Sequence, residues 1–241
     1  MTIITISEQD GVRDLHFGTP WIQGSMRLAK PDAIELEYVQ QMMIWTLFRD
    51  APAHIVQLGL GAGALTKFCY RRFPSSRITA VELSSAVIQA CREHFALPPN
   101  DDRLDVLEMD AMDYVIALCN RRSAGILQVD LYDAQARGPV LDSAAFYRSC
   151  ANSLDSNGIM TVNLYCALPD RLKNLQAMEE AFEAVAWLPE VHDGNVVAIA
   201  FKRAPSVDFS ELFVRAHSIG QTLGLPAASW VSGLQSWMQG D

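Results

Sequence analysis

His54-Ile-Val-Gln-Leu-Gly-Leu-Gly-Ala-Gly-Ala-Leu65 carries an apolar strand into a turn built on Gly59, Gly61 and Gly63, with a helical stretch behind it. Glycine lets the backbone turn sharply there and lets a ligand come close, because no Cβ stands in the way. The next apolar run, Ile78-Thr-Ala-Val-Glu82, ends in an acid about twenty residues on, where a strand-end carboxylate reaches the hydroxyls of a ribose. A third run, Leu104-Asp-Val-Leu-Glu-Met-Asp110-Ala111, places another acid just past its strand. Asp110 would accept a hydrogen bond from an adenine amino group, or cap the helix that follows. Strand, glycine turn, helix and two strand-end acids together predict a nucleotide-binding α/β domain.

The same alternation continues on either side. Strands are predicted at 54–59, 77–82, 104–108, 125–131 and 158–164, with helices at about 62–73, 84–95, 110–119 and 143–153 between them. A helix near 169–184 then leads to strands at 185–190 and 194–202, joined by the turn Asp193-Gly194-Asn195. Helices near 208–220 and 226–237 follow, and their Phe209, Leu212, Phe213, Trp230, Leu234 and Trp237 are expected to pack on the core or on a second subunit. Apolar strands separated by helices mean a mostly parallel seven-stranded sheet with helices on both faces. Ahead of it, 2–7 and 12–17 alternate around Glu8-Gln9-Asp10-Gly11, and 21–26 adds a third strand. Ile34, Tyr38, Met42 and Trp45 recur at helical spacing, predicting one helix over 34–48. The chain therefore divides into a small N-terminal β-hairpin unit, 1–30, and a Rossmann-like domain, 31–241.

Composition narrows the class. Half of the 241 residues are hydrophobic and 20% are charged, enough for a large buried core. A net charge of −9 argues against a nucleic-acid groove, which needs clustered Lys and Arg. Cys69, Cys91, Cys119, Cys150 and Cys166 show no CxxC spacing, so neither a disulfide framework nor a zinc site is expected. Free thiols suit a reducing cytoplasm. The first residues lack a basic stretch and a long apolar run, so neither a signal peptide nor a membrane span is expected. The five histidines are dispersed, and no metal is expected.

A narrower pattern lies in Val129-Asp130-Leu131-Tyr132-Asp133-Ala134, then Gly138-Pro139 and Phe146-Tyr147. Gln23, Glu35-x-x-Tyr38, Asp101-Asp102-Arg103-Leu104 and Asn163 belong with it. From about Trp21 to Lys202 the chain resembles class I S-adenosylmethionine-dependent transferases, and within them the spermidine synthase (polyamine aminopropyltransferase) family. The resemblance implies a class I methyltransferase-like fold and a homodimer. Its implied donor is decarboxylated S-adenosylmethionine or S-adenosylmethionine, and its implied reaction moves an aminopropyl group to a small-molecule diamine such as putrescine. It also implies that Glu82 binds ribose, that Asp110 with Ala111 binds adenine, and that Gln23 contacts the donor's sugar beside the glycine loop. Asp130 would lie next to donor and attacking amine, Asp133 would be the second acid of the gate loop, and Tyr38 would line the active site. Asn163 stands where the family often has glutamine. Three departures stand beside these matches: Ala62 replaces the acid that grips the donor's amine, Gln40 replaces a glutamate, and Val191-His192-Asp193-Gly194 replaces a segment with a second tyrosine.

The chemistry gives Asp130 a further argument. Attack on a sulfonium carbon is an in-line displacement, so the protein must orient the nucleophile and deprotonate it. A primary amine is protonated at neutral pH, and the end of the fourth strand is where an open α/β sheet places such a carboxylate. Tyr38 and Tyr132 would orient the amine through their hydroxyls, and Asp133 would take a distal ammonium. Plainer readings stand beside these: Asp130 as a loop cap or sheet-end salt bridge, Tyr38 as a packed core residue. Two other functions stay open. One is a methyltransferase using full S-adenosylmethionine, since alanine at 62 removes a repulsion against the donor carboxylate. The other is a non-catalytic nucleoside-binding or dimerisation protein.

Overall fold

The fold is taken from a computed structural model that describes residues 3–133, 135, 137–191 and 194–239. His54–Leu58, the run quoted first above, is β4, with all five residues buried. It follows β1 (Thr5–Gln9), β2 (Val12–His16), β3 (Gly24–Arg27) and a short α1 (Glu37–Gln41). After it come α2 (Ala64–Arg72), β5 (Arg77–Glu82), α3 (Ser85–His94), β6 (Leu104–Glu108) and α4 (Ala111–Ile116). The chain continues through β7 (Ala124–Val129), α5 (Ala144–Ser153), β8 (Leu154–Leu164), α6 (Leu168–Glu179), β9 (Ala184–Trp187) and β10 (Val196–Phe201). It closes with α7 (Phe209–Leu223) and α8 (Ala227–Gln239).

Seven strands form one sheet in the order β6-β5-β4-β7-β8-β10-β9. The pairs from β6 to β8 are parallel, and β10 runs antiparallel to both β8 and β9. Side chains alternate between two apolar layers, as a sheet covered on both faces requires. On β7, Ile126 belongs to the cluster of Trp45 and Trp230, while Leu127 and Val129 belong to that of Phe146 and Tyr147. This is the mostly parallel, doubly covered sheet expected from the sequence. The order reverses between β4 and β7, and such a switch point opens a crevice at the carboxyl ends of the strands.

β1 to β3 make a separate antiparallel sheet, displaced by a few residues from the expected spans. β1 runs through Gln9, and Asp10-Gly11, both at positive φ, form the turn alone. β3 starts only at Gly24, leaving 18–23 irregular over the crevice. Leu15 and Met26 join the same apolar cluster as Ile34 and Trp45. α7 and α8 pack on the chain's own core through Leu212, Trp230 and Leu234, and Trp237 meets Trp187 edge-on at 5.1 Å. Phe213 stays partly exposed. The turn expected at 193–195 begins on a residue outside the described ones; Gly194, at φ +82°, is within them. No described helix is long and apolar enough to cross a membrane.

The expected helix over 34–48 is a correction. The structure breaks it into α1 and a 3-10 turn at Ile44–Leu47. Residues 41–47 are all buried, so this segment has no solvent face. Its Met42 carbonyl accepts from Gln128 Nε2 at 3.0 Å and Thr161 Oγ1 at 3.2 Å, side chains of β7 and β8. Apolar periodicity finds the buried positions here; it does not register polar groups on remote strands that draw a carbonyl away from a helix.

Candidate active site

A cavity of about 650 Å³ opens at the carboxyl ends of β4 to β8, roofed in part by Phe17, Pro20, Trp21, Ile22 and Gln23. That volume suits a nucleoside with a small second molecule. Its floor is the glycine turn. Gly59 sits at φ +92°, and a Cβ there would lie 2.1 Å from the Asp130 carbonyl oxygen. Any side chain at 59 would push β4 and β7 apart, and with them the cavity. Gly61 admits the Gln23 carbonyl, which would stand 2.8 Å from a Cβ at 61. Gly63, also expected at the ligand, is the N-cap of α2 and meets Leu97 and Leu60 instead; it does not line the cavity. Ala62 is 2% exposed and covered by Gly24, so it too is off the wall.

Glu82 and Asp110 line the cavity at the ends of β5 and β6. Glu82 Oε2 accepts from the Leu60 amide at 3.1 Å and Oε1 from the Ser84 amide at 2.9 Å. Burial pushes its carboxyl above the usual range, and these amides offset part of that. Asp110 Oδ1 caps α4, taking the amides of Met112 at 2.7 Å and Asp113 at 3.4 Å. The capping reading is therefore correct for one oxygen, while Asp110 and Ala111 still face the cavity.

Asp130 follows β7 and reaches the wall at the middle of the crevice. Its Oδ1 accepts from Asn163 Nδ2 at 2.9 Å, and its Oδ2 from the Tyr38 hydroxyl at 3.4 Å. No cation pairs with it among the described residues, which sets aside the salt-bridge reading. Burial raises its proton affinity above that of an ordinary carboxylate, and the bonds from Asn163 and Tyr38 hold part of the rise back. Two more polar atoms on this wall, Gln23 Nε2 and Asn163 Oδ1, are buried without a hydrogen-bond partner. Such atoms are rare in a fold unless something else satisfies them.

Two expected acceptor contacts come out differently. The Tyr132 ring lines the cavity, but its hydroxyl donates to the Asn163 carbonyl at 2.7 Å and accepts from the Tyr165 amide at 2.6 Å. It is a strut between loop and strand, without a hydroxyl free to orient an amine. Asp133 lies off the cavity wall. Its Oδ1 accepts from the amides of Gln135 and Arg137, and its Oδ2 pairs with the Arg137 guanidinium at 3.0 Å. Burial works to raise its pKa, but the Arg137 and Gln135 amides and the Arg137 guanidinium outweigh that and hold it low. A short local turn with its own arginine captures this acid, a competitor that the D-x-x-D spacing did not reveal.

The cavity also has an apolar wall, outside the motifs that mark the acids. Trp21, Ile22, Leu83, Met109 and Val140 are large hydrophobics left 40–70% exposed, and all of them line the cavity. A signal was present: Leu83 directly follows Glu82, and Met109 directly precedes Asp110, so an apolar side chain flanks each strand-end acid. Exposed apolar groups gathered at one site mark a surface made to be covered. Tyr165 and Asn195 complete the wall near Asn163, without a comparable cue in sequence. The cavity thus joins an apolar slot flanked by two carboxylates to a third carboxylate that pairs with no cation among the described residues.

No protein-family model matches the chain. Over 236 residues it is 32% identical to a polyamine aminopropyltransferase of Neisseria meningitidis, covering 97% of this chain and 89% of that protein. A probable spermidine synthase from Corynebacterium glutamicum has a similar structure, with a TM-score of 0.75 at 19% identity over 97% of this chain and 91% of that one. Human methyltransferase-like protein 13, solved in complex with SAH, gives a TM-score of 0.70 at 21% identity over 80% of this chain and 94% of that one.

Proposed function

The chain belongs to the polyamine aminopropyltransferase family, and from that premise we propose that it moves an aminopropyl group from decarboxylated S-adenosylmethionine to a diamine such as putrescine. Asp130 carries this reading: a cavity carboxylate without a cationic partner among the described residues, held by Asn163 and Tyr38. The acceptor amine enters protonated, and Asp130 takes its proton. The freed lone pair then attacks the propyl carbon next to sulfur. The C–N bond forms as the C–S bond breaks, and the bonding pair stays on sulfur, so 5′-methylthioadenosine leaves uncharged. A carboxyl whose proton affinity is already raised by burial is suited to that transfer.

At the other end, Glu82 and Gln23 would bind the ribose, and the remaining Asp110 oxygen with Ala111 would read the adenine edge. Leu83, Met109 and Val140 would cover its faces. Gly59 and Gly61 give the sulfonium side its close approach, and Asn163 positions Asp130. The homodimer and the cytoplasmic location belong to the same reading. Exposed Ile3, Ile6 and Leu28 near the small sheet support the dimer, and unpaired buried Cys69, Cys91 and Cys150 support the compartment.

Methyl transfer from full S-adenosylmethionine is the second reading, favoured by the fold shared with human methyltransferase-like protein 13. One assay separates the two. Purified protein is given each donor with putrescine, and the nucleoside product is identified. Release of 5′-methylthioadenosine from the decarboxylated donor is the expected result. S-adenosylhomocysteine from the full donor, with no methylthioadenosine, would replace the first reading by the second.

A further inference from the structure

Three neighbouring strands end in one pattern: a buried polar residue, an apolar one, then a residue at the cavity. They read Gln57-Leu58-Gly59 on β4, Gln128-Val129-Asp130 on β7 and Thr161-Val162-Asn163 on β8. The register sets Gln57 opposite Gln128 and Gln128 opposite Thr161. Alternation then puts Gln128 and Asp130 on one face, with Thr161 and Asn163 beside them. The polar row below the site is sealed, each member being 1% exposed or less. It is also joined end to end. Thr66 Oγ1 donates to Gln57 Oε1 at 2.7 Å, and Gln57 Nε2 donates to Gln128 Oε1 at 3.0 Å. Gln128 Nε2 and Thr161 Oγ1 both donate to the Met42 carbonyl. The Met42 amide in turn donates to the Tyr38 carbonyl at 2.9 Å.

Nothing in the transfer itself uses this row, and apolar side chains would fill a sheet interior without the penalty of burying amides. What the row does is hold α1. That helix has five residues and no side-chain cap at its N-terminus, too little to fix its own orientation. We infer that Gln128, assisted by Thr161, is a positioning residue for the reaction: by gripping the Met42 carbonyl it sets α1 so that the Tyr38 hydroxyl meets Asp130. The inference rests on Asp130 as proton acceptor and adds what places its partner. Asp130 and Gln128 thus act from one strand face, one on the amine and the other on the helix that serves Asp130.

The test is a double-mutant cycle on the full chain, with Gln128→Leu, Tyr38→Phe and the pair. Gln128→Leu is expected to lower kcat about tenfold and to leave donor affinity, read by calorimetry, within about twofold, because Glu82 and Asp110 do not touch the row. In the Tyr38→Phe background the same change should cost nothing further. Losses that multiply, or an unchanged kcat in Gln128→Leu, would overturn the inference. Should that variant fail to fold, Thr161→Val removes one of the two bonds to Met42. It must then show the same non-additivity with a loss of about threefold, and additive losses overturn the inference equally. A wild-type protein that releases no methylthioadenosine defeats the proposed reaction separately. The geometry is then decided by a crystal structure of the Gln128→Leu or Thr161→Val variant: Tyr38 displaced from Asp130 supports the inference, and Tyr38 unmoved sinks it.

Discussion

At the cavity end proposed for the nucleoside, Glu82 and Asp110 are held by backbone amides: Ser84, Met112 and Asp113 close by in sequence, and Leu60 in the glycine turn. At the end proposed to react, Asp130 is held by the side chains of Asn163 and Tyr38, from the next strand and from a segment ahead of the sheet. The difference has consequences. A carboxylate fixed by amides stays in place as long as the fold does, because its partners are the chain itself. A carboxylate fixed by side chains keeps its position and its proton affinity only while those side chains are placed correctly. The first arrangement suits a constant ligand such as a nucleoside. The second suits a group whose charge changes during the reaction, and it leaves that group adjustable by substitutions elsewhere.

The sharpest attempt to break this division is Asp130→Asn. Asparagine keeps the shape and can still meet Asn163 and Tyr38, but it takes no proton from an amine. Loss of a positioned general base is expected to lower kcat/KM for the amine by about a thousandfold. Donor affinity, measured by calorimetry without amine, is expected to stay within about twofold. A collapse of donor binding in this variant would mean that Asp130 belongs to the nucleoside end, and the two-ended description would fail.

The same contrast explains what was readable before the structure. Glu82 and Asp110 follow from local pattern, because strand, glycine turn and strand-end acid occur in order along the chain. The seven-stranded sheet was legible for the same reason, each strand being a short apolar run between helices. Asp130 follows from its strand end and from the family resemblance, which also implies Tyr38 and Asn163 in the same site. Their hydrogen bonds to Asp130 were not legible, since Tyr38 reaches it across 92 positions and the segment that carries Tyr38 is a broken helix. Asp133 and Tyr132 show the opposite case. Asp133 matched a pattern by its spacing and Tyr132 offered a hydroxyl beside it, but Arg137 pairs with the first and the backbone of Asn163 and Tyr165 with the second. Residue type and spacing place a group near a site; which partner takes it is decided by contacts that spacing does not encode.

A smaller effect tests the nucleoside end. Glu82→Gln removes the charge that would accept from ribose hydroxyls and turns one oxygen into a donor facing the Leu60 or Ser84 amide. Hydrogen bonds to a charged group contribute about 1.5–3 kcal/mol, so donor affinity is expected to fall about ten- to a hundredfold. At saturating donor, kcat should stay within about threefold. A fall in kcat as large as that of Asp130→Asn would show that the ends are coupled through the glycine turn, where Gly59 touches the Asp130 backbone.

The smallest expected effect concerns stability, and it reads the burial of the Asp130 carboxyl directly. Burial raises the Asp130 pKa in the folded chain above that of an unfolded aspartate, about 3.9. Between those two values the folded state binds more protons than the unfolded state does. Stability therefore falls as pH rises through that window, and the loss is complete once pH exceeds the folded value. An asparagine at 130 carries no such dependence. Asp130→Asn should accordingly melt above the wild type at about pH 7, with a margin that shrinks toward about pH 4. Thermal melts of both proteins across that range check the slope. The other titrating groups are common to the two chains, so the difference isolates position 130. A margin constant with pH, or a wild type that is the more stable at neutrality, would mean that Asn163 and Tyr38 satisfy the charge fully. The reacting end would then hold its carboxylate as securely as the amides hold Glu82 and Asp110, and the raised proton affinity on which the proposed amine deprotonation leans would be gone.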